Sequence, residues 1–283
     1  MFQHSHAHLL DALPRGSRDP HLSCSFALMC SYCVDRTAYR LGTHLDSGSG
    51  GVRPCAKISS MCGIAGWVGR GDVADLGAMV ASLDHRGPDE RGFWNDGHAA
   101  LGIARLSVID VAGGHQPVYS SDGSIAAVCN GEIYNYRELA AELISLGVIL
   151  TSASDVEVIP HLYQRHGLDF VKRLRGMFAI ALWDSREQRL VLARDRAGKK
   201  PLVYARDGQR LIFASETRAL LAAGWNAGAD LQALDHVLAF ACLPTESGGW
   251  QGLQSLPPAH LGVWENDRMR LERYWSWEPG NYL

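Results

Sequence analysis

Residues 61–66 read Met61-Cys62-Gly63-Ile64-Ala65-Gly66. A methionine followed at once by cysteine and glycine has the form of a chain start, yet it lies well inside the chain. Cys62 to Val68 reads as a short apolar strand interrupted by glycines. As a nucleophile, Cys62 needs a base, because thiolate is the reactive form and an unassisted thiol is mostly protonated near neutral pH. Histidine is the usual helper. If Cys62 were the first residue, its own α-amine, with an unperturbed pKa of about 7.7–8.0, would lie within reach of the sulfur. Gly63 would let a substrate approach the backbone closely. On that reading the triplet makes chemical sense only if residues 1–61 are absent. Taken alone, a cysteine here is more often a small buried hydrophobe, so the residues that follow must decide.

The composition changes near residue 60. Before it come several histidines, scattered Arg and Pro, and the run Ser47-Gly48-Ser49-Gly50-Gly51, with no sustained period of 2 or 3.6. That predicts a leader over 1–61, disordered or not part of the mature protein. The formal charge of −3 gives no reason to expect a nucleic-acid or membrane-surface binder. Ser23 to Val34 is apolar-leaning but too short to span a bilayer, and it lacks the basic start and cleavage site of a signal peptide. A cytoplasmic protein is expected. Its seven cysteines are then expected to be free thiols. Cys30-x-x-Cys33 with Cys24 and a nearby His could form half of a zinc site, but no second well-spaced pair completes it, and no metal ligand is assigned.

From Met61 onward the pattern is regular. Asp72 is placed to cap a helix with Val73, Leu76, Met79, Val80 and Leu83 on one face. His85 to Asp89 forces a loop. Strands are expected at Ala99–Leu106, Ile125–Cys129, Met177–Trp183, Arg189–Arg194 and Leu211–Ala214, with a hairpin turning at Asp184–Gln188. Helices are expected at Tyr136–Leu146, Asp155–His166, Glu216–Ala223 and Leu231–Phe240. Asn135 with Glu138, and Ser154 with Glu157, have capping-box spacing. Gly147 and Gly167 would stop the first two of these helices. Pro160 should cost the second a backbone bond or bend it. Leu261–Trp277 reads as a strand pair and an aromatic stretch. Helices grouped between antiparallel strands predict an α+β layered sandwich.

Several motifs follow Cys62 in order. They are Arg86-Gly87-Pro88-Asp89-Glu90, Ala104-Arg105-Leu106-Ser107-Val108-Ile109-Asp110 and Gly114-His115-Gln116-Pro117. Then come Asn130-Gly131-Glu132-Ile133-Tyr134-Asn135, Ser154-Asp155-Val156-Glu157 and Arg194-Asp195-Arg196. As an ordered set, from Met61 to about Trp277, they resemble the class II glutamine amidotransferases, specifically the glutaminase half of glutamine-hydrolysing asparagine synthetases. The resemblance implies a four-layer αββα N-terminal-nucleophile hydrolase fold, with two antiparallel sheets between helices. It implies that Cys62 attacks the side-chain amide of L-glutamine, giving a thioester and ammonia, and that water then releases glutamate. Such a reaction needs preorganised donors for the oxyanion. By similarity these are the Asn130 side chain and the Gly131 N–H, although Asn-Gly alone would equally signal a hairpin turn. Arg105 would pair with the substrate α-carboxylate, as its planar fork suits. Asp155 would take the α-ammonium, with Glu132 and the backbone at Val108 nearby. Arg86 and Asp89 would border the pocket.

Three departures stand out. Pro160 occupies a position usually held by an ordinary helix former. Ala259 stands where Leu-Pro-Pro-Gly-His commonly has glycine. Ala197 and Val203 replace bulkier residues around Arg194–Leu202, where no catalytic role is assigned. The Ser-Gly-Gly-x-Asp-Ser phosphate-binding signature of the family's synthetase domain does not occur. The expected organisation is therefore a leader over 1–61, an amidotransferase domain over 62–270, and the start of a linker at 271–283 toward a synthetase domain that is absent. No cofactor is expected in this chain, since ATP and Mg belong to that missing domain. A separately encoded synthetase domain is the partner that would receive ammonia, and a homodimer stays open. Two alternatives also stay open: a catalytically silent glutamine- or partner-binding module, and a truncated gene fragment.

Overall fold

The computed structural model describes residues 61–207 and 209–278. The leader up to residue 60, the zinc alternative at Cys24, Cys30 and Cys33, and residues 279–283 lie outside the described residues.

Twelve strands form two six-stranded antiparallel sheets. The first has the order β10-β8-β9-β1-β3-β2, built from Leu253–Ser255, Val203–Asp207, Arg210–Ala214, Gly63–Val68, Ala99–Arg105 and Glu90–Asn95. The second has the order β12-β11-β7-β6-β5-β4, built from Arg268–Arg273, His260–Glu265, Arg189–Arg194, Gly176–Asp184, Ile125–Ile133 and Val118–Tyr119. β1 and β3 are buried at every residue because both faces of the sheet are covered. Ile64, Leu101, Val128, Trp183 and Phe213 fill the space between the sheets.

Helix α1 (Val73–Ala81) and α5 (Thr217–Ala222) cover the outer face of the first sheet, where Leu76, Met79, Val80 and Leu220 pack on Ala65, Trp67 and Ile212. α2 (Tyr136–Ser145), α3 (Val158–His166) and α4 (Phe170–Arg173) cover the second, where Leu139, Leu143, Leu162 and Phe170 pack on Cys129, Phe178 and Ile180. The layers therefore run helix, sheet, sheet, helix, as expected. α6 (Leu231–Phe240) lies apart from these layers and buries only Ala233. Among the described residues no helix is long and apolar enough to cross a membrane.

Several local expectations change. Asp72 does cap α1, accepting from Ala74 N at 2.9 Å, but Val73 faces solvent. Neither predicted capping box forms. Asn135 instead binds Arg173 O and Arg175 N, tying the start of α2 to the strand entering β6. Glu157 accepts from the N–H and hydroxyl groups of Thr151 and Ser152. These bonds use up its carboxylate, so α3 begins at Val158 and not at Asp155. Pro160 is thereby the third helical residue, in the first turn, where N–H groups have no intrahelical acceptor. The expected penalty does not arise. β2 and β8 were not anticipated, and β5 runs to Ile133, past its expected end at Cys129. Ala259 sits at φ 60, so the alanine in place of glycine takes a left-handed conformation.

Candidate active site

Cys62 opens β1 at the end of the inter-sheet space and lines a cleft enclosing about 530 Å³, part of it open to solvent. Its sulfur lies 3.3 Å from Leu106 N and 3.6 Å from Leu106 O, at the far end of the neighbouring strand β3. Burial pushes the Cys62 thiol up from its ordinary value; the Leu106 backbone and the charges of Arg105 and Lys200 offset part of this. Left to itself the thiol stays protonated at neutral pH. A base is required, and no histidine lines the cleft among the described residues.

The opposite wall is β5. Asn130 is fully buried there and Gly131 follows it in the strand, which excludes the hairpin-turn reading. The Asn130 amide nitrogen lies 3.5 Å from Ser215 Oγ, while its oxygen has no partner. The two ends of an amide are interchangeable until the surrounding hydrogen bonds fix them. Ser215 Oγ already accepts from Ile64 N at 3.0 Å, so its own proton is free to donate. Turning the amide over lets Ser215 donate to Asn130 Oδ1, satisfies the orphaned oxygen and frees the amide N–H groups. Gly131 sits at φ 154, and a Cβ there would lie 2.0 Å from Met177 O. Only glycine fits.

Arg105 lines the cleft while 3% exposed. It donates to Glu90 Oε2 at 2.9 Å, Ile109 O at 3.2 Å and Asp110 O at 2.9 Å. These bonds hold the guanidinium rigid, and its remaining N–H groups are available to an anion. Asp155, on the turn before α3, accepts from Ile133 N at 2.8 Å. Burial raises its carboxyl above the ordinary value; the bond to Ile133 pulls the other way. Glu132 and Val108 also line the cleft, and Val108 is 61% exposed at the rim.

Arg86 and Asp89 do not line the cleft; they hold its backbone from behind. Arg86 Nε donates to Cys62 O at 3.0 Å and NH1 pairs with Glu216 at 2.6 Å. Asp89 accepts from Ser107 N at 2.9 Å. Gly63 also plays a different part from the one expected. A Cβ there would meet Leu83 Cβ at 2.9 Å and Arg86 at 3.1 Å, so the missing side chain makes room for the end of α1 and not for a substrate.

Three residues without a prior assignment matter here. Gln116 exchanges two hydrogen bonds with the backbone of Cys129, fixing β5 one residue before Asn130. Ser215 joins β1 to Asn130. Lys200 lines the cleft, 4% exposed, from the loop after β7. Its motif, to which the sequence assigns no catalytic role, has the composition of a basic surface turn. Asp195 instead accepts from the N–H groups of Phe178, Ala197, Lys199 and Lys200. Arg194 donates to the carbonyls of Gly198, Lys200 and Leu256. The two buried charges fold the loop so that Lys200 points inward.

Residues 61–275 match the family described as "Glutamine amidotransferase domain". The chain belongs to this family. The domain is 35% identical over 228 residues to "Asparagine synthetase [glutamine-hydrolyzing] 3" of Bacillus subtilis, covering 77% of this chain and 37% of that protein. It is 35% identical over 210 residues to "Amidase chry2" of Gibberella zeae, covering 73% of this chain and 31% of that one. This amidotransferase chain thus spans between about a fifth and little more than a third of the curated relatives' length. Its fold matches the B. subtilis glutamine phosphoribosylpyrophosphate amidotransferase complexed with ADP and GMP, with a TM-score of 0.58 at 22% identity over 75% of this chain and 49% of that one.

Proposed function

We propose that this glutamine amidotransferase domain hydrolyses L-glutamine through Cys62, with the α-amine of Cys62 as general base, and supplies ammonia for amide transfer of the asparagine-synthetase type. The observation that carries the reading is a half-buried thiol, its ionisation opposed by burial, in a cleft that no histidine lines among the described residues. An amine on the same residue meets that need. Asn130 and Gly131 N–H hold the oxyanion, Arg105 the α-carboxylate, and Asp155 with Glu132 the α-ammonium. The reaction requires Cys62 to be the first residue, through initiation at Met61 with methionine removal or through cleavage after Met61. A free thiol nucleophile fits a reducing cytoplasm. The acceptor belongs to a synthetase partner, for which ATP and Mg would be required; the asparagine synthetases among the relatives favour aspartate.

The test is ammonia release from glutamine by protein beginning at Cys62, by the Cys62→Ala variant, and by protein with Met61 retained. Ammonia release only from the first is expected. Equal release from all three would refute the reading, and no release from any would favour a silent glutamine- or partner-binding module.

A further inference from the structure

Lys200 is the buried charge that the reaction scheme leaves without a task. Its ammonium is 4% exposed, and its Nζ lies 2.9 Å from Met61 Sδ, the side chain that immediately precedes Cys62. The other charged or titratable groups near it come from four elements. Glu132 and Cys129 lie on β5, Arg86 follows α1, Arg105 ends β3, and Asp155 precedes α3; Asp195 holds the lysine's own loop, and Glu216 is engaged by Arg86. No carboxylate pairs with the ammonium among the described residues. Burying an ammonium without such a partner is costly. Yet the Asp195–Arg194 loop holds it there through its backbone.

We propose that Lys200 is a positioning residue for the Cys62 nucleophile. Its ammonium stabilises the thiolate and, once Met61 is gone, keeps the adjacent α-amine unprotonated and ready to take the thiol proton. The inference rests on the amine-as-base reading above and adds a residue to it. Its geometry is specific. Met61 directly precedes the Cys62 nitrogen, and both residues line the cleft together with Lys200. One positive charge lowers the proton affinity of both groups, so its gain lies with the thiolate; it keeps the amine neutral before the transfer and does not help the amine hold the proton afterwards. It favours the ionised sulfur and disfavours the ionised amine.

The test uses protein beginning at Cys62, as wild type, Lys200→Met and Lys200→Arg. The readouts are the pH profile of kcat/KM for glutamine and the pH profile of Cys62 alkylation by iodoacetamide, followed on the Cys62 peptide by mass spectrometry. Removing the charge is expected to move the acidic limb of both profiles upward by roughly one pH unit, as loss of a nearby opposite charge does. Thiolate fraction, and so alkylation rate at pH 7, should fall about tenfold. Lys200→Arg should restore both profiles. If Lys200→Met does not fold, Lys200→Gln makes the same comparison.

Superimposable alkylation profiles for wild type and the neutral variant would overturn the proposal. So would a Lys200→Arg variant as impaired as the neutral one, because a proton-transferring lysine cannot be replaced by arginine. A shifted alkylation profile without ammonia release from any variant would uphold the role of Lys200 and sink the glutaminase reading alone.

Discussion

Gly131→Ala tests the oxyanion site through backbone geometry. Gly131 pairs with Phe178 in the register between β5 and β6. An alanine Cβ would lie 2.0 Å from Met177 O and 2.6 Å from Phe178 Cα, both backbone atoms. Ordinary contact begins at 3.4 Å, so the two strands must part by about 1.4 Å or residue 131 must leave φ 154. Overpacking of this kind costs about 1–3 kcal/mol, which a domain this size survives. Catalysis is more sensitive. A misplacement of about 1 Å costs on the order of 10²-fold, and loss of one oxyanion donor about 10²–10³-fold. The expected result, for protein beginning at Cys62, is a folded variant with kcat for ammonia release down about 10²–10³-fold. KM should move less than kcat, because Arg105 lies on β3 in the other sheet, while Glu132 and the Ile133 N–H that holds Asp155 share β5 with Gly131. Gly123→Ala is the control. It too has positive φ but nothing within 4 Å, so it should cost about 1–2 kcal/mol of stability and leave kcat alone. A folded Gly131→Ala variant with kcat within about threefold of wild type would refute the assignment, since the oxyanion penalty alone is larger.

Glu216→Gln should lower stability at pH 7 by about 1–3 kcal/mol, because it leaves the Arg86 guanidinium, only 11% exposed, without its carboxylate. Burial pushes the Glu216 carboxyl up, but Arg86 and His85 more than offset this and hold it below 4.5. The stability from this pair is therefore present above about pH 4.5 and is lost as pH falls through the lower folded-state value. Thermal melts of variant and wild type should converge as the pH falls through that value; a gap that persists undiminished would exclude the ion pair as its cause. Asp155→Asn has the opposite sign. Its carboxyl is raised above 3.8, so the native state loses stability as pH rises through the folded value. The amide can still accept from Ile133 N, so the melting temperature at pH 7 should hold or rise. KM for glutamine should rise about tenfold or more with loss of a charged hydrogen bond. A marked fall in melting temperature would count against this account.

The sheets were legible where strands are apolar on both faces. β1, β3, β6 and β7 read as near-continuous runs because helices or the second sheet cover each side. β2 was not legible, for the same physical reason reversed. Glu90 to Asn95 lies at a sheet edge, partly buried on one face and exposed on the other, and its charged residues suit that edge while masking the strand. Among the site residues, Cys62, Arg105, Asn130, Gly131, Glu132 and Asp155 converge on one cleft although they come from both sheets and an intervening loop. Their proposed roles came from the resemblance and not from residue type alone, and the fold supplies the geometry that brings them together.

What escaped the sequence is the support around those side chains. Arg194, Asp195 and Lys200 have the composition of a solvated basic turn, and composition alone favours that reading. Half of the turn is buried, because Asp195 gathers four backbone N–H groups and Arg194 gathers three carbonyls. A buried carboxylate and guanidinium spent on backbone groups let a loop enter the interior without orphaned polar atoms. Arg196 and Lys199 point to solvent, so the one buried charge in that loop not spent in this way is the Lys200 ammonium, which faces the cleft. A charged turn whose buried acid and arginine are saturated by backbone groups therefore identifies its buried lysine as the residue to test.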